Sequence, residues 1–208
     1  MQDDAYEPGR MGGSRVDSID RRVAVSPAER IDLDDHTFLR WLTIDDAEAV
    51  ASAVGASLDH LRPWMPWADA QSAELTFQRS RLRAQSGQRD RGEEWQYGLF
   101  AADGALLGSF GLMTRRGPAT LEIGYWLHVD AGNRGHATRA AGALTETGLA
   151  LPDIRRMIIV CDAANLRSAA IPQRLGYTLA RVESRPPEAP GETGHMQIWT
   201  KGGATATR

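Results

Sequence analysis

The residues best placed for chemistry belong to a glycine-bearing loop between a strand pattern and a helix pattern. Residues 121–129 alternate apolar and polar side chains, as a strand does, whereas residues 137–150 carry alanine and leucine at helical spacing. Gly135 leaves the main chain between them open to a close approach, and a helix N-terminus offers free N–H groups and a positive dipole end. The loop therefore predicts a phosphate-binding turn, to which Arg134 adds a charged donor. Taken alone, such a turn is more often only a connection.

The strand before this loop has a polar face formed by Glu122, Trp126 and His128. A carboxylate partly desolvated beside an indole is a candidate general base, so Glu122 is the first candidate for taking a proton from a nucleophile. The alternative interpretation is that Glu122 makes only a structural hydrogen bond. His128 is a second candidate because its ordinary pKa lies closer to neutral pH, although a histidine at a strand end is more often a surface group.

A second unusual stretch is residues 61–69, in which two prolines exclude regular helix and two tryptophans supply a large apolar surface. One interpretation is a loop packed onto the core by Trp64 and Trp67. The other is an aromatic wall that faces a substrate. Under the second interpretation, the candidate substrate-binding residues are Trp64, Trp67 and Trp126.

Three motifs that follow one another along the chain give it a specific resemblance to a known family. The first comprises residues 122–127 and 134–138, the second residues 165–168 and the third residues 174–177. Over residues 39–201 the chain resembles the Gcn5-related N-acetyltransferase (GNAT) superfamily, and in particular its RimJ/RimL-type branch. The resemblance implies an α/β (α+β) fold with a mixed, mostly antiparallel sheet and a central β-loop-α-β unit, flanked by helices, that binds acetyl-CoA. The family's pyrophosphate motif falls on residues 132–137, where Gly135 and Ala137 match and Gly132 replaces the usual glutamine or arginine.

The resemblance implies transfer of the acetyl group of acetyl-CoA to a primary amine by direct attack on the thioester, with Glu122 as the candidate base. In many members a tyrosine four residues before the glycine matched here by Gly176 protonates the leaving thiolate, but Pro172 stands at that position. The resemblance then points to Ser168 as the partner of the departing sulfur. The implied cofactor-binding residues are Leu127, Val129, Arg134, Gly135, His136, Ala137, Thr138, Asn165 and Ser168.

The acceptor and the functional class each have alternatives. The acceptor is either a protein N-terminus or a small amine such as an antibiotic or an aminoacyl nucleotide. A non-catalytic acyl-CoA-binding or interaction module of the same fold is the rival to an enzyme, and the substitutions at Gly132 and Pro172 argue for it. A phosphate-loop NTPase is disfavoured because no Lys-Ser or Lys-Thr pair follows the loop.

Composition argues against several other classes. With 24 Lys and Arg against 27 Asp and Glu, the net charge of −3 gives no basic footprint for bulk nucleic-acid binding. No stretch reaches the roughly 18 apolar residues of a membrane span, and no signal-peptide pattern is found. The single Cys161 lies in an apolar run, which favours a core position and fits the cytoplasm. The five histidines lack metal-ligand spacing, and both a monomer and a homodimer are compatible with the sequence.

These candidates require a single domain to position them, predicted over residues 31–201. Residues 1–30 are expected to form a disordered extension and residues 202–208 a frayed tail. Strands are predicted at residues 36–42, 95–101, 106–113, 121–129, 156–162, 177–183 and 195–201. Helices are predicted to end near residues 54, 86, 150 and 176, and the second has Arg79, Arg81 and Arg83 on its solvated side.

Overall fold

The alternating and helical patterns form eight strands and four helices within residues 25–202, the part of the chain that the computed structural model describes. The strands are β1 (Arg30–Asp34), β2 (Thr37–Trp41), β3 (Glu94–Ala101), β4 (Leu106–Met113), β5 (Thr120–Leu127), β6 (Arg156–Asp162), β7 (Thr178–Ser184) and β8 (His195–Gly202). The helices are α1 (Ala47–Leu61), α2 (Leu75–Asp90), α3 (His136–Leu149) and α4 (Leu166–Arg174). Short 3₁₀ turns occupy residues 44–46, 71–73 and 129–131.

All eight strands lie in one sheet in the order β1-β2-β3-β4-β5-β6-β8-β7. From β1 to β5 each strand is antiparallel to the next, whereas β5 and β6 are parallel and α3 connects them. β8 lies antiparallel between β6 and β7. The predicted mixed, mostly antiparallel sheet with a central strand-loop-helix-strand unit is therefore confirmed.

Helices cover both faces of the sheet and form two cores. Leu121 of β5 is buried together with Leu144 of α3 in the core under α3 and α4. Trp126 of the same strand is buried with Val54 of α1 in the opposite core. Because side chains alternate along a strand, β5 directs its predicted polar face, which includes Glu122, toward α1 and α2.

The central parallel strands pair over only part of their lengths. Their last matched pair is Ile123 with Ile159, yet β5 continues to Leu127. Beyond that pair the edge of β5 that faces β6 has no partner among the eight described strands, so its backbone groups are open to a ligand.

Three features differ from the sequence-based prediction. β1 is not predicted, because it is a short edge strand in which Ile31 and Leu33 alternate with charged residues. α1 continues to Leu61 rather than ending near residue 54, because helix-compatible alanine, serine and leucine persist up to the turn at Pro63. α2 likewise extends beyond its predicted end near residue 86.

Most of the predicted extension and tail, residues 1–24 and 203–208, lie outside the described residues. The described part of the extension joins the sheet. The Ala28 carbonyl accepts a hydrogen bond from Tyr97 Oη at 2.7 Å, and the Glu29 carbonyl accepts one from Trp41 N at 2.9 Å. Of the helices within residues 25–202, none has the length and apolar character needed to cross a membrane.

Candidate active site

The loop between β5 and α3 exposes the backbone N–H groups at the start of α3. Gly135 is the N-cap residue and has a φ of 77°, a left-handed conformation that favours glycine. Among the residues that the structure describes, no side chain caps the helix, and Arg139 N donates to the Gly135 carbonyl at 3.0 Å. The N–H groups of His136, Ala137 and Thr138 therefore precede Arg139 N, the first intrahelical donor, and point out of the helix end, as a phosphate site requires.

The basic side chains near this loop have different environments. Arg139 is held by Asp34, whose carboxylate lies 3.2 Å from Arg139 Nε, and by His136 Nδ1, which lies 3.1 Å from its Nη2. Burial lowers the pKa of His136, and the nearby Arg139 and Arg134 lower it further. The His136 ring is therefore neutral at pH 7, and Arg134, which is exposed, is the charged side chain available at the loop.

The main chain at the end of β5 faces the open gap beside β6. His128 N donates to the Leu107 carbonyl of the neighbouring strand β4 at 2.9 Å. Because backbone groups alternate along an antiparallel strand, the N–H and C=O of Leu127 point the other way, toward the gap. Val129 is different, because its N–H donates to Ser57 Oγ at 3.0 Å and is not available to a ligand.

The hydroxyl of Tyr125 joins β5 to α4 across this gap. It donates to the Ser168 carbonyl at 3.2 Å and lies 3.1 Å from Ser168 Oγ. Within α4, Pro172 lies four residues after Ser168 and has no N–H to donate to that carbonyl. Because Pro172 replaces the tyrosine found in many members of the family, the Ser168 carbonyl is left free to accept a hydrogen bond from the Tyr125 hydroxyl. Burial raises the pKa of Tyr125 well above its usual range, so this hydroxyl stays protonated.

The start of α4 positions Ser168. Asn165 is the N-cap residue, and its side-chain oxygen accepts a hydrogen bond from Ser168 N at 3.1 Å, which confirms the predicted cap. Cys161, at the end of β6, is buried, and burial raises its pKa to about 11. At neutral pH Cys161 is therefore a protonated thiol, as expected of a core cysteine rather than a nucleophile.

A cavity of about 730 Å³ opens on the α1 and α2 side of the sheet, and its lining extends to Tyr125 and Ser168. Part of its floor is formed by Gln96 of β3 and Gly124 of β5, which are the cross-strand neighbours of Gly111 of β4 on its two sides. A Cβ on Gly111 would collide with the side-chain amide of Gln96. The missing side chain of Gly111 therefore makes room for the side chain of Gln96, which lines the cavity.

Aromatic residues form one wall of this cavity. The Trp67 side chain remains 40% exposed, and its ring packs edge-on against that of Trp126 with centroids 6.2 Å apart. Trp64 is half-buried, whereas Trp126 is buried at the floor. All three line the cavity, so the structure brings the predicted substrate-binding residues together.

The loop between β7 and β8 forms the opposite wall and meets the tryptophan loop. Gly191 N donates to the Pro63 carbonyl at 2.8 Å, and a Cβ at Gly191 would lie only 2.6 Å from that oxygen. Asp162 holds the loop in place, because its carboxylate accepts from Thr193 N and Gly194 N, each at 2.9 Å. Although burial raises the pKa of Asp162, these hydrogen bonds lower it below its usual value.

Glu122 lies on the cavity side of β5, 3% exposed, between two arginines. Arg115 Nη2 and Arg116 Nε both bind its carboxylate, the latter at 2.6 Å. Burial alone would raise the pKa of Glu122, but the two guanidinium groups bring it below its usual value. Glu122 is thus ionised and weakly basic, and its role as a base stays a prediction.

His128, the second candidate base, is not part of the cavity lining. Its Nδ1 accepts a hydrogen bond from Asp130 N at 3.1 Å and so caps the 3₁₀ turn that follows β5. The side chain therefore has a local structural role beside the Gly135 loop.

Arg81 does not lie on the solvated side of α2, and that prediction is wrong. The buried residues of α2 are Gln78 and Leu82. Arg81, three positions after Gln78 and next to Leu82, is therefore half-buried and lines the cavity. Arg79 and Arg83 are exposed, as predicted.

The sequence analysis also misses several residues of the site. Tyr125 is assigned only to a strand, although its apolar-face position next to the loop marks it as close to the cofactor side. Arg115 is assigned only to a turn. Gly111 and Gly124 carry a readable signal, because isolated glycines inside strand patterns indicate close approach of another group.

Residues 36–178 match the family described as "Acetyltransferase (GNAT) domain". The chain belongs to this family. The GNAT family consists of acetyltransferases, so the enzyme interpretation is confirmed over that of a non-catalytic module. "Putative ribosomal N-acetyltransferase YdaF" from Bacillus subtilis (strain 168) is 25% identical to this GNAT protein over 150 residues, which are 70% of this chain and 79% of the relative.

Two solved structures show the same GNAT fold. Ribosomal L7/L12 alpha-N-protein acetyltransferase RimL in complex with coenzyme A gives a TM-score of 0.77 at 20% identity, covering 84% of this chain and 98% of that chain. The microcin C7 self immunity acetyltransferase MccE in complex with acetyl-CoA and AMP gives 0.76 at 20% identity, covering 83% and 95%. These similarities support the architecture described above.

Proposed function

We propose that this GNAT acetyltransferase transfers the acetyl group of acetyl-CoA to an α-amine, with the N-terminus of a peptide as the acceptor. One observation carries the proposal: Tyr125 and Ser168 lie both at the end of the cavity and beside the unpaired end of β5. A thioester placed there meets the cofactor loop on one side and an incoming amine on the other.

On the donor side, the N–H groups of residues 136–138 bind the pyrophosphate, and Arg134 adds a charge. The pantetheine arm runs along the open edge of β5, where Leu127 offers its N–H and C=O. Asn165 and Ser168 meet the far end of the arm. RimL and MccE share this fold, and their structures contain coenzyme A and acetyl-CoA, which supports the same donor here.

The weak basicity of Glu122 favours an α-amine over a lysine side chain as the acceptor. At pH 7 about a tenth of an α-amine with a pKa near 7.7–8.0 is neutral, whereas for a lysine with a pKa near 10.4 the fraction is below about a thousandth. A carboxylate with a lowered pKa is a poor acceptor for a proton from lysine ammonium. We therefore assign Glu122 a later step, in which it accepts, directly or through water, the proton that nitrogen releases once the C–N bond has formed.

The leaving group is stabilised on the opposite side of the thioester. Attack by the neutral amine forms the C–N bond, and collapse of the adduct breaks the C–S bond and leaves the CoA thiolate. Ser168 donates a hydrogen bond from its Oγ to that sulfur, while Tyr125 holds the serine in place. The thiolate then takes a proton from water, which balances the proton lost by nitrogen.

The acceptor itself is proposed to lie against Trp64, Trp67 and Trp126. A loop restricted by prolines presents these rings at low entropic cost. The name of RimL specifies an α-N-protein acetyltransferase, which supports a protein N-terminus as the acceptor. An aminoacyl nucleotide is the second candidate, because the exposed ring of Trp67 can stack a base and the MccE complex contains AMP. We place the reaction in the cytoplasm, where acetyl-CoA is available.

The test is release of CoA thiol from acetyl-CoA in the presence of an amine panel, with mass spectrometry of each product. The panel contains free peptides, the same peptides with a blocked N-terminus and one lysine, and an aminoacyl nucleotide. We expect acetylation of the free α-amine and little of the lysine. Acetylation of only the lysine side chain would refute the proposal. Failure of enzyme that binds CoA to acetylate any amine would refute it as well.

A further inference from the structure

We propose that the acceptor carries an acidic group as well as its amine, and that Arg81 binds this group at the α2 end of the cavity. The inference rests on the proposed function and specifies its substrate class as an α-amine with a carboxylate a few residues away. It comes from the cavity's charge distribution, in which Arg81 lines the cavity and has no carboxylate partner within residues 25–202.

Arg81 makes its hydrogen bonds to uncharged partners. Its Nη1 donates to Gln78 Oε1 at 2.9 Å. When the Gln85 amide is turned so that its oxygen faces the guanidinium donors, that oxygen accepts from Arg81 Nη2 at 3.1 Å and from Nε at 3.2 Å. Gln78 is itself buried and fixed, because its Nε2 donates to the Ser72 carbonyl at 2.5 Å. The guanidinium is therefore held in one orientation, with donors left over from the five that an arginine carries.

The positive charge of Arg81 is not neutralised by an ion pair. Among residues 25–202, Arg115 and Arg116 have a carboxylate within ion-pair distance, namely Glu122, but Arg81 does not. Burial lowers the pKa of Arg81, and Glu94 counteracts this only from a distance. An arginine keeps its charge even when partly buried, and burying that charge has a free-energy cost. The side-chain amides around Arg81 do not neutralise the charge, whereas an anionic ligand would.

The two ends of the cavity differ in charge. At the α2 end three arginines, Arg81, Arg115 and Arg116, face two carboxylates, Glu94 and Glu122. At the β7 and β8 end the charged lining residues are Asp162, Glu183, Arg185, Glu188 and Glu192, of which only one is a cation. An ammonium group is thus attracted toward one end and an anion toward the other, as an acceptor with both groups requires.

Strand spacing sets the distance between the two groups. The thioester site lies beside β5, while Arg81 lies over β3 and senses Glu94 at the start of that strand. Two strand spacings are roughly 10 Å, and an extended peptide advances about 3.3 Å per residue. We therefore expect the acidic side chain at the second to fourth residue of the acceptor peptide.

The probes are tetrapeptide amides that begin with alanine and carry aspartate or asparagine at the second, third or fourth residue. Hydrogen bonds to a charged group differ from those to an amide by enough to change kcat/KM about 10- to 100-fold. We expect the wild-type enzyme to prefer aspartate by this factor at one position. Free aspartate tests whether a small molecule with the same two groups is used instead of a peptide.

The decisive variant is Arg81→Gln, and Arg83→Gln on the exposed side of the same helix is its matched control. We expect the aspartate-to-asparagine ratio to fall to about one in Arg81→Gln and to stay at the wild-type value in Arg83→Gln. Calorimetric titration with CoA shows whether each variant is folded and binds its cofactor. A preference for aspartate that survives in folded Arg81→Gln would overturn the assignment.

Failure of the anion site and failure of the proposed function give different results. If wild-type enzyme acetylates aspartate and asparagine peptides equally at every position, the anion site is refuted and the α-amine acetyltransferase stands. If no peptide is acetylated, the proposed function fails, and the anion site is judged by calorimetry of the peptides on CoA-saturated enzyme. Equal affinity for the two peptides would then overturn it as well.

Discussion

The hydroxyl of Tyr125 contacts Ser168 twice, at the carbonyl oxygen at 3.2 Å and at Oγ at 3.1 Å. This contact spans the region in which β5 and β6 no longer pair, so side-chain bonds close a gap that backbone bonds leave open. Pro172 makes it available by leaving the Ser168 carbonyl without its helical donor. Pro172 thus replaces the tyrosine found in many members of the family, and the hydroxyl groups of Tyr125 and Ser168 lie at the same place in the fold.

We expect Ser168→Ala to lower kcat about 10- to 100-fold, because the departing thiolate loses a hydrogen bond to a charged group. The CoA dissociation constant should change little. Tyr125→Phe should have a smaller effect on kcat, since it removes only the bonds that orient the serine. Ser80→Ala on the exposed side of α2 is the control. Single-turnover kinetics makes the measurement, and a wild-type chemical step in Ser168→Ala would contradict the assigned role.

Gly135→Asp should abolish CoA binding, because it places a carboxylate at the N–H groups proposed to bind pyrophosphate. Gly135→Ala separates the charge from the backbone effect, since any side chain at a φ of 77° is strained by about 1–2 kcal/mol. Gly104→Asp controls for the same strain elsewhere, because Gly104 has a φ of 89° in a turn with open space around it. Calorimetry should show loss of CoA affinity only in Gly135→Asp, and equal losses in the aspartate and alanine variants would argue against a phosphate site.

Glu122→Gln should reduce turnover at neutral pH, because it removes the carboxylate that accepts the proton from nitrogen after the C–N bond has formed. Turnover should partly recover at high pH, where hydroxide can accept that proton. The substitution should also change the acid stability of the fold. The folded-state pKa of Glu122 lies below its ordinary value of 4.5, so the carboxylate stabilises the fold at pH above that value. This stabilisation is lost as pH falls through the folded-state pKa, and the glutamine variant lacks it throughout.

Thermal unfolding of wild type and Glu122→Gln between about pH 3 and pH 8 checks the second expectation. The difference in Tm should be largest at neutral pH, where Arg115 and Arg116 of the variant have lost their shared carboxylate, and should narrow toward pH 3. A difference that is constant with pH would show that ionisation of Glu122 does not contribute to stability.

Local patterns explain which parts of this fold are predictable from the sequence. β5 (Thr120–Leu127), the turn at Gly135 and the cap at Asn165 each depend on residues within a few positions of one another. Their periodicity and side-chain chemistry therefore predict them directly. β1 is missed because an edge strand needs little apolar alternation, and its pairing with β2 becomes apparent only in the sheet.

The missed site residues depend on contacts between distant parts of the chain. Tyr125 and Ser168 are 43 residues apart, and the link between them requires both the crossover through α3 and the open end of β5. Arg81 is misassigned because the exposed and buried sides of α2 are set by the way this helix packs on α1 and β3. A helical pattern rich in arginine and glutamine does not indicate that side when few of its residues are apolar.

The tryptophan loop gives the clearest separation between a core role and a substrate-binding role. Truncating a buried tryptophan costs roughly 3–5 kcal/mol, whereas truncating an exposed one leaves stability nearly unchanged. Trp67 is 40% exposed and Trp95 is fully buried, so Trp95→Ala is a matched control for loss of a core indole. We expect Trp67→Ala to keep the wild-type Tm and to raise the acceptor KM about tenfold without changing the KM for acetyl-CoA.

Trp64→Ala should behave in an intermediate way, because Trp64 is half-buried and also lines the cavity. Its Tm should fall by less than that of Trp95→Ala, while its acceptor KM rises with that of Trp67→Ala. Thermal unfolding and steady-state kinetics with both substrates make the comparison. If Trp67→Ala is destabilised as strongly as Trp95→Ala and the remaining folded enzyme has an unaltered acceptor KM, the loop packs the core and does not bind the acceptor.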